Sequence, residues 1–127
     1  MGLYTYFKNT DGTGILATSD SDGMVDLAVY TKPEVIDETT LAFIMKERLS
    51  HQNLMSNPHA AYMFLEKGDH YTGKRLYLTK IKEETNTSLI KEFIDRQPEI
   101  AETDDDSSKY IVFFQIDNVY PLVGDKT

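Results

Sequence analysis

The stretch Phe43–Pro58 (FIMKERLSHQNLMSNP) places the strongest constraint on the fold, because its character changes twice within a few residues. It begins as an apolar strand, which is followed at once by the charged residues 46–48. Ser50 then occupies the position of a helix N-cap, and a short helix is predicted over 51–56 before the Asn-Pro pair ends it. A strand is therefore expected to lead directly into a helix N-terminus.

The charged turn in the middle of this stretch is a candidate anion site. Lys46 and Arg48 are cationic, and the first backbone N–H groups of a helix carry partial positive charge. Because all these groups would point at the same place, a phosphate-bearing ligand is predicted at the Arg48–Ser50 junction, with its planar part against nearby strands. A capped surface helix with a solvated charge cluster is the alternative interpretation.

The rest of the chain is typical of short β-strands separated by turn residues. The first two strands are predicted to form a hairpin closed by the Asp-Ser-Asp-Gly turn at 20–23. The apolar run at 60–66 predicts a strand that is buried on both faces. The predicted strands are 15–19, 24–32, a short strand and turn at 35–39, 40–45, 60–66, 75–81 and 110–117.

Helices account for the remaining apolar patterns. The aromatic residues at 4–7 predict either a helix or an edge segment that covers the core. A longer amphipathic helix is capped by Asn86 or Thr87 and stopped by Pro98, and its apolar face consists of Leu89, Ile90, Phe93 and Ile94. Six or seven strands with one short and one longer helix predict a mainly β (α+β) antiparallel barrel, in one domain over residues 1–127.

Composition excludes several classes of protein. The net charge of −8 argues against a nucleic-acid binder, which needs cations along the phosphate backbone. Part of the acidic excess is local, at 99–106, which is predicted to be a solvated loop. No apolar run is long enough to cross a bilayer and no signal peptide is recognised, so a cytoplasmic protein is expected. Cysteine is absent, which excludes disulfides and thiolate catalysis.

Motifs for catalysis or metal binding are missing from the sequence. His51, His59 and His70 do not have metal-ligand spacing, and no metal site is predicted. The serines lack the G-x-S-x-G context of a hydrolase, and neither a GxGxxG fingerprint nor a P-loop is present. No catalytic residue is identified, which leaves the predicted anion site as the main functional feature.

The order of several short motifs resembles the pyridoxamine 5′-phosphate oxidase-like superfamily, the FMN-binding split barrels. The most specific of them is the N-L-x-x-N-P block that begins at Asn53. The resemblance covers nearly the whole chain. Its motifs are GILAT at 14–18, the Asp-Gly turn at 22–23, AVY at 28–30, MKER at 45–48, the N-L-x-x-N-P block at 53–58 and Y-x-G-x-R-L at 71–76.

This resemblance implies a split β-barrel homodimer with FMN at the interface between the subunits. Asn53 would brace the turn that holds the phosphate, and Lys46 would add a positive charge beside it. Tyr71 and Arg75 would reach the cofactor of the partner subunit. The other implied contacts are to the flavin ring from Val29, Tyr30, Thr31 and Lys32, to the ribityl chain and ring from Ile44 and Met45, and to the phosphate from Arg48, Leu49 and Ser50.

Two departures from the family pattern bear on function. Many relatives carry a second basic residue near Ser50, whereas this chain has Leu49-Ser50-His51-Gln52, so Lys46 and His51 are the candidates to replace it. The chain also lacks the C-terminal Arg-containing segment with which the true oxidases bind the phosphate of their substrate. Pyridoxamine phosphate oxidase activity is therefore not expected.

The resulting expectation is an FMN-binding oxidoreductase or electron-transfer protein whose substrate is unknown. The flavin would carry the redox chemistry, so no catalytic side chain is required. The alternatives are a reductase that uses the deazaflavin F420, and a non-catalytic split-barrel dimer that binds haem or a small anion.

Overall fold

The computed structural model describes residues 2–68, 70–85, 87–96 and 109–124. The predicted acidic loop at 99–106, Asn86 and Pro98 lie outside these ranges. None of the described helices has the length and apolar character that crossing a bilayer requires. The elements are α1 (Leu3–Asn9), β1 (Gly12–Ser19), β2 (Val25–Tyr30), β3 (Glu34–Val35), β4 (Thr40–Lys46), α2 (Leu49–Ser56), β5 (His59–Glu66), β6 (Gly73–Glu84), α3 (Thr87–Arg96) and β7 (Lys109–Pro121).

Seven antiparallel strands form one sheet in the order β2-β1-β5-β6-β7-β4-β3. The predicted hairpin is present as β1 and β2, which pair from Gly14 with Tyr30 to Ser19 with Val25. These strands confirm the predicted mainly β fold of a split barrel. The described residues contain three helices rather than two, because the aromatic N-terminal segment is the helix α1, and its Phe7 is buried against Phe64 at a ring-centroid distance of 5.2 Å.

The main core lies on the inner face of the sheet. Alternate residues of each strand point into it, as in β5, where Tyr62 and Phe64 are fully buried. The neighbouring Ala61 and Met63 are only half-buried, so the prediction that this strand is buried on both faces is wrong for a single chain. The side chains that form this core include Leu16, Leu41, Phe43, Met45, Leu54, Leu76, Leu78, Val112 and Phe114.

The outer face of the sheet is covered by a helix at one end. Ile90 and Phe93 of α3 pack on the outward-facing side chains of β4 and β7, which are Ala42, Ile111 and Phe113. The amphipathic pattern of 89–94 therefore predicts both the helix and its buried face.

The segment that follows β2 is held in place by contacts with β5 and with the end of α1. The Tyr62 hydroxyl donates a hydrogen bond to the Thr31 carbonyl at 3.0 Å. The Lys32 ammonium donates to the carbonyls of Phe7 (2.7 Å) and Thr10 (3.1 Å) at the end of α1. The Tyr62 hydroxyl reaches Thr31 by crossing β1 at Gly14, where a Cβ atom would overlap that hydroxyl.

We expect Gly14→Ala to lower the free energy of unfolding by about 1–3 kcal/mol, because the added methyl group displaces the Tyr62 side chain or the β2 backbone. Urea unfolding monitored by circular dichroism measures the change. Gly2→Ala is the matched control, since a Cβ at Gly2 meets open space. Equal stability of the two variants would contradict the close approach of the Tyr62 hydroxyl to Gly14.

Candidate functional site

A groove of about 410 Å³ opens where the barrel is split. β2 forms one wall, and as the first strand of the sheet it pairs only with β1 among the described strands. The opposite wall consists of the end of β4, the start of α2 and the start of β7. The lining residues are Asp26, Leu27, Ala28, Val29, Tyr30, Thr31, Ile44, Lys46, Arg48, Leu49, Ser50 and Lys109.

Cationic side chains are concentrated at one end of the groove. Lys46 is the last residue of β4, and the antiparallel register places Lys109, the first residue of β7, directly opposite it. Arg48 follows two residues later, so three cations line the same groove. Their concentration in a chain of net charge −8 favours an anionic ligand at this end.

The N-terminus of α2 lies at the same end of the groove. The helix begins at Leu49 with Arg48 at the N-cap, so the prediction that Ser50 caps the helix is wrong. An arginine side chain has donors only, and Arg48 therefore offers no oxygen to the N–H groups of the first turn. These N–H groups add positive potential beside the three cations.

Ser50 is instead an inward-facing residue of the first helical turn. It is buried, and its side chain hydrogen-bonds the Tyr30 hydroxyl. Burial raises the pKa of Tyr30, while the hydrogen bond with Ser50 and the charge of Arg48 oppose the increase. The Tyr30 ring also packs edge-on against Phe43 at 5.6 Å. Tyr30 thus joins the end of β2 to the start of α2 across the groove.

Most of the residues that the resemblance assigned to the cofactor lie together in this groove. They are Val29, Tyr30, Thr31, Ile44, Lys46, Arg48, Leu49 and Ser50.

Two residues assigned to the cofactor, Met45 and Lys32, lie elsewhere in the structure, whereas Asn53 is a bracing residue, as the resemblance implies. Met45 is 1% exposed and points into the core, because it follows Ile44 in a strand and must face the opposite side. Lys32 lines a separate cavity next to α1. Asn53 is buried and donates a hydrogen bond from Nδ2 to the Thr18 hydroxyl at 3.0 Å, which braces α2 against β1.

The two residues expected to reach the partner subunit, Tyr71 and Arg75, do not line the groove of their own chain. Tyr71 is exposed in the segment that precedes β6. Arg75 binds the C-terminal segment, with hydrogen bonds to the carbonyls of Pro121 (3.0 Å from Nε) and Gly124. Their contribution across a dimer stays a prediction.

Four lining residues were not predicted from the sequence: Asp26, Leu27, Ala28 and Lys109. The first three belong to the same strand as Val29, so extending the predicted contact along β2 identifies them. Lys109 is different, since its approach to Lys46 depends on the pairing of two strands that are far apart in the sequence.

His51 does not serve as the missing second cation of the groove. It is 3% exposed, and both ring nitrogens face carboxylates: Nδ1 lies 2.9 Å from Glu47 Oε1 and Nε2 lies 3.0 Å from Glu83 Oε1. Its ring stacks on Tyr110 at a centroid distance of 4.0 Å. With both nitrogens engaged in this way, His51 does not support the alternative of a haem ligand.

Hydrogen bonding in this cluster favours the ionised carboxylates. The bond from His51, followed by the bond from Tyr110, lowers the pKa of Glu47. Burial acts to raise the pKa of Glu83, but its hydrogen bonds from Lys80 and His51 outweigh burial and lower that pKa as well. Glu47 and Glu83 are therefore negatively charged at neutral pH.

Comparison with known proteins identifies the fold but not the family. No family profile and no curated protein matches the sequence. An FMN-binding protein from Syntrophomonas wolfei subsp. wolfei is 18% identical, with a TM-score of 0.75 over 97% of this chain and 85% of that chain. A proposed pyridoxamine 5′-phosphate oxidase from Lactobacillus delbrueckii is 19% identical, with a TM-score of 0.64 over 92% and 88% of the two chains.

A third structure with the same fold is an F420 reductase, which is 15% identical. Its TM-score is 0.70, over 94% of this chain and 97% of that chain. At such low identities these likenesses establish the split-barrel fold that the three proteins share with this chain.

Proposed function

We propose that this protein belongs to the pyridoxamine 5′-phosphate oxidase-like family and binds FMN in the groove, as an oxidoreductase or electron-transfer protein. The observation that carries the proposal is the asymmetry of the groove. One wall combines Lys46, Arg48 and Lys109 with a helix N-terminus, and the other wall is the edge strand β2. An anionic phosphate and a planar ring need these two environments in one elongated site.

The residues present fit the phosphate of FMN. Arg48 supplies a guanidinium whose planar donor geometry matches phosphate oxygens, and Lys46 and Lys109 add two further positive charges. Leu49 and Ser50 place the first turn of α2 beside these side chains. Lys109 takes the place of the second basic residue that is missing near Ser50.

The edge of β2 fits the flavin ring. Val29, Tyr30 and Thr31 form one wall of the groove, and the backbone groups of β2 that face away from β1 pair with no other described strand. Bound FMN supplies the redox chemistry, and the chain positions the ring and shields it from water. The bonds of Tyr62 to the Thr31 carbonyl and of Ser50 to Tyr30 keep this wall rigid.

F420 is the second candidate cofactor, since an F420 reductase has the same fold. Equilibrium titrations of the purified protein with FMN and with F420 separate the two. We expect FMN to bind more tightly than F420. Tighter binding of F420 would instead indicate a deazaflavin-dependent reductase.

We also propose that two copies form a homodimer through the uncovered part of the outer sheet face. Along β2 the side chains of Val25, Leu27 and Val29 are 80%, 71% and 77% exposed and lie on one face of the strand. The register continues this face across the sheet in two rows, Leu27–Ala17–Ala61–Tyr77 and Val29–Ile15–Met63–Arg75.

An exposed apolar face of this extent is typical of a protein interface. Leu27 and Val29 belong both to this face and to the groove, so a second copy placed here would border the cofactor. The position of Arg75 in the same face supports its assignment to the interface.

Arg48→Ala is expected to weaken FMN binding by roughly ten- to hundredfold, the equivalent of one or two charge-assisted hydrogen bonds. The affinity for riboflavin, which lacks the phosphate, should be nearly unchanged. Because Arg48 is an exposed cation, the free energy of unfolding should change by less than about 1 kcal/mol. Flavin fluorescence titration and urea unfolding provide the two measurements.

Lys91→Ala, on the exposed side of α3, is the control for a lost surface cation. Comparable losses of FMN affinity, riboflavin affinity and stability in Arg48→Ala would make Arg48 a structural residue rather than a phosphate ligand.

Leu27→Asp is expected to convert the dimer to a monomer, because a carboxylate in the centre of an apolar interface loses several kcal/mol of hydration. Sedimentation velocity measures the change in mass. Ile36→Asp introduces the same charge at an exposed apolar residue outside the face. A wild-type protein that is already monomeric, or a variant that remains dimeric, would exclude this interface.

A further inference from the structure

Glu47 lies between two groove residues in the sequence but is not one of the residues that line the groove. The reason is the tight turn between β4 and α2, in which the Arg48 N–H donates to the Lys46 carbonyl at 2.8 Å. Lys46 and Arg48 line the groove, while the Glu47 side chain is directed to the other side of the turn.

Both carboxylate oxygens of Glu47 are engaged there. Oε1 lies 2.9 Å from His51 Nδ1, and Oε2 accepts a hydrogen bond of 2.9 Å from the Tyr110 hydroxyl. Tyr110 also stacks on the His51 ring, so the two donors support each other. The carboxylate is therefore held by α2 and β7 together.

His51 contacts a second carboxylate through its other nitrogen. Nε2 lies 3.0 Å from Glu83 Oε1, which also accepts a hydrogen bond from the Lys80 ammonium at 2.7 Å. His51 therefore lies between the carboxylates of Glu47 and Glu83, and the Lys80 ammonium adds a positive charge beside Glu83.

We infer that His51 is a positioning residue that holds the Glu47 carboxylate on the far side of the turn, away from the cations that line the groove. This inference rests on the proposed FMN site. Without His51, the Glu47 carboxylate would lose one of its two hydrogen-bond partners and could turn toward Lys46 and Arg48, its neighbours in the sequence. It would repel a phosphate and compete with it for the same cations.

Four proteins test the inference: the wild type, His51→Gln, Glu47→Gln and the double variant His51→Gln/Glu47→Gln. Fluorescence titrations with FMN and with riboflavin measure each affinity. We expect His51→Gln to bind FMN roughly tenfold more weakly, which is the size of effect that one uncompensated charge near a partly screened phosphate produces.

The FMN affinity of the remaining two variants should depend on the charge at position 47. Glu47→Gln should bind FMN at least as tightly as the wild type, and the double variant should recover most of the affinity that His51→Gln loses. Riboflavin affinity should stay within about twofold in all four proteins, because riboflavin carries no phosphate. A gain or a recovery of affinity cannot result from misfolding.

His59→Gln is the matched control, since His59 is an exposed histidine that contacts Thr79. Equal losses for FMN and riboflavin in His51→Gln, or no recovery in the double variant, would overturn the inference and leave the cluster a purely structural one. Failure of the wild type to bind FMN would instead contradict the proposed function, so the two failures are distinguishable.

Discussion

The turn at Lys46–Arg48 is the constraint on which the site depends. The hydrogen bond between the Arg48 N–H and the Lys46 carbonyl closes this turn, which is the whole connection between a buried strand and a helix. This short connection separates charges of opposite sign: two cations line the groove, and the Glu47 carboxylate lies behind it with His51 and Tyr110. The same turn places the N-terminus of α2 at the groove, so helix, cations and strand end act together.

The sheet supplies the second half of the site. β2 is the edge strand of the split barrel, and its outer backbone groups pair with no other described strand. The Tyr62 side chain passes β1 at Gly14 and donates a hydrogen bond to the Thr31 carbonyl, which fixes the end of β2 from the core side. α3 covers the outer face over β4 and β7, whereas Val25, Leu27 and Val29 of β2 remain exposed. The exposed face and the groove share residues, which links the proposed dimer to the proposed cofactor site.

Local sequence patterns predict much of this arrangement. The strands follow from alternation and turn residues, and the cationic turn follows from the abrupt change at 46–48. Strand alternation separates Ile44, which lines the groove, from Met45, whose side chain points into the core, although the resemblance implies that both contact the cofactor. The sequence predicts a start of α2 two residues late, because Ser50 is a good N-cap residue but here hydrogen-bonds Tyr30.

Long-range contacts explain what could not be predicted. Lys109 joins the site only because β4 and β7 pair in a particular register. His51 is buried only because Glu83 and Tyr110 arrive from β6 and β7, and no local signal distinguishes it from an exposed histidine such as His59.

The central claim is that the groove at the split of the barrel holds FMN by its phosphate. The most direct measurement is the absorption spectrum of the purified protein, followed by thermal unfolding with added FMN and with added riboflavin. We expect flavin absorption bands, or a melting temperature that rises much more with FMN than with riboflavin. A protein that lacks flavin bands and whose melting temperature does not respond to FMN would contradict it.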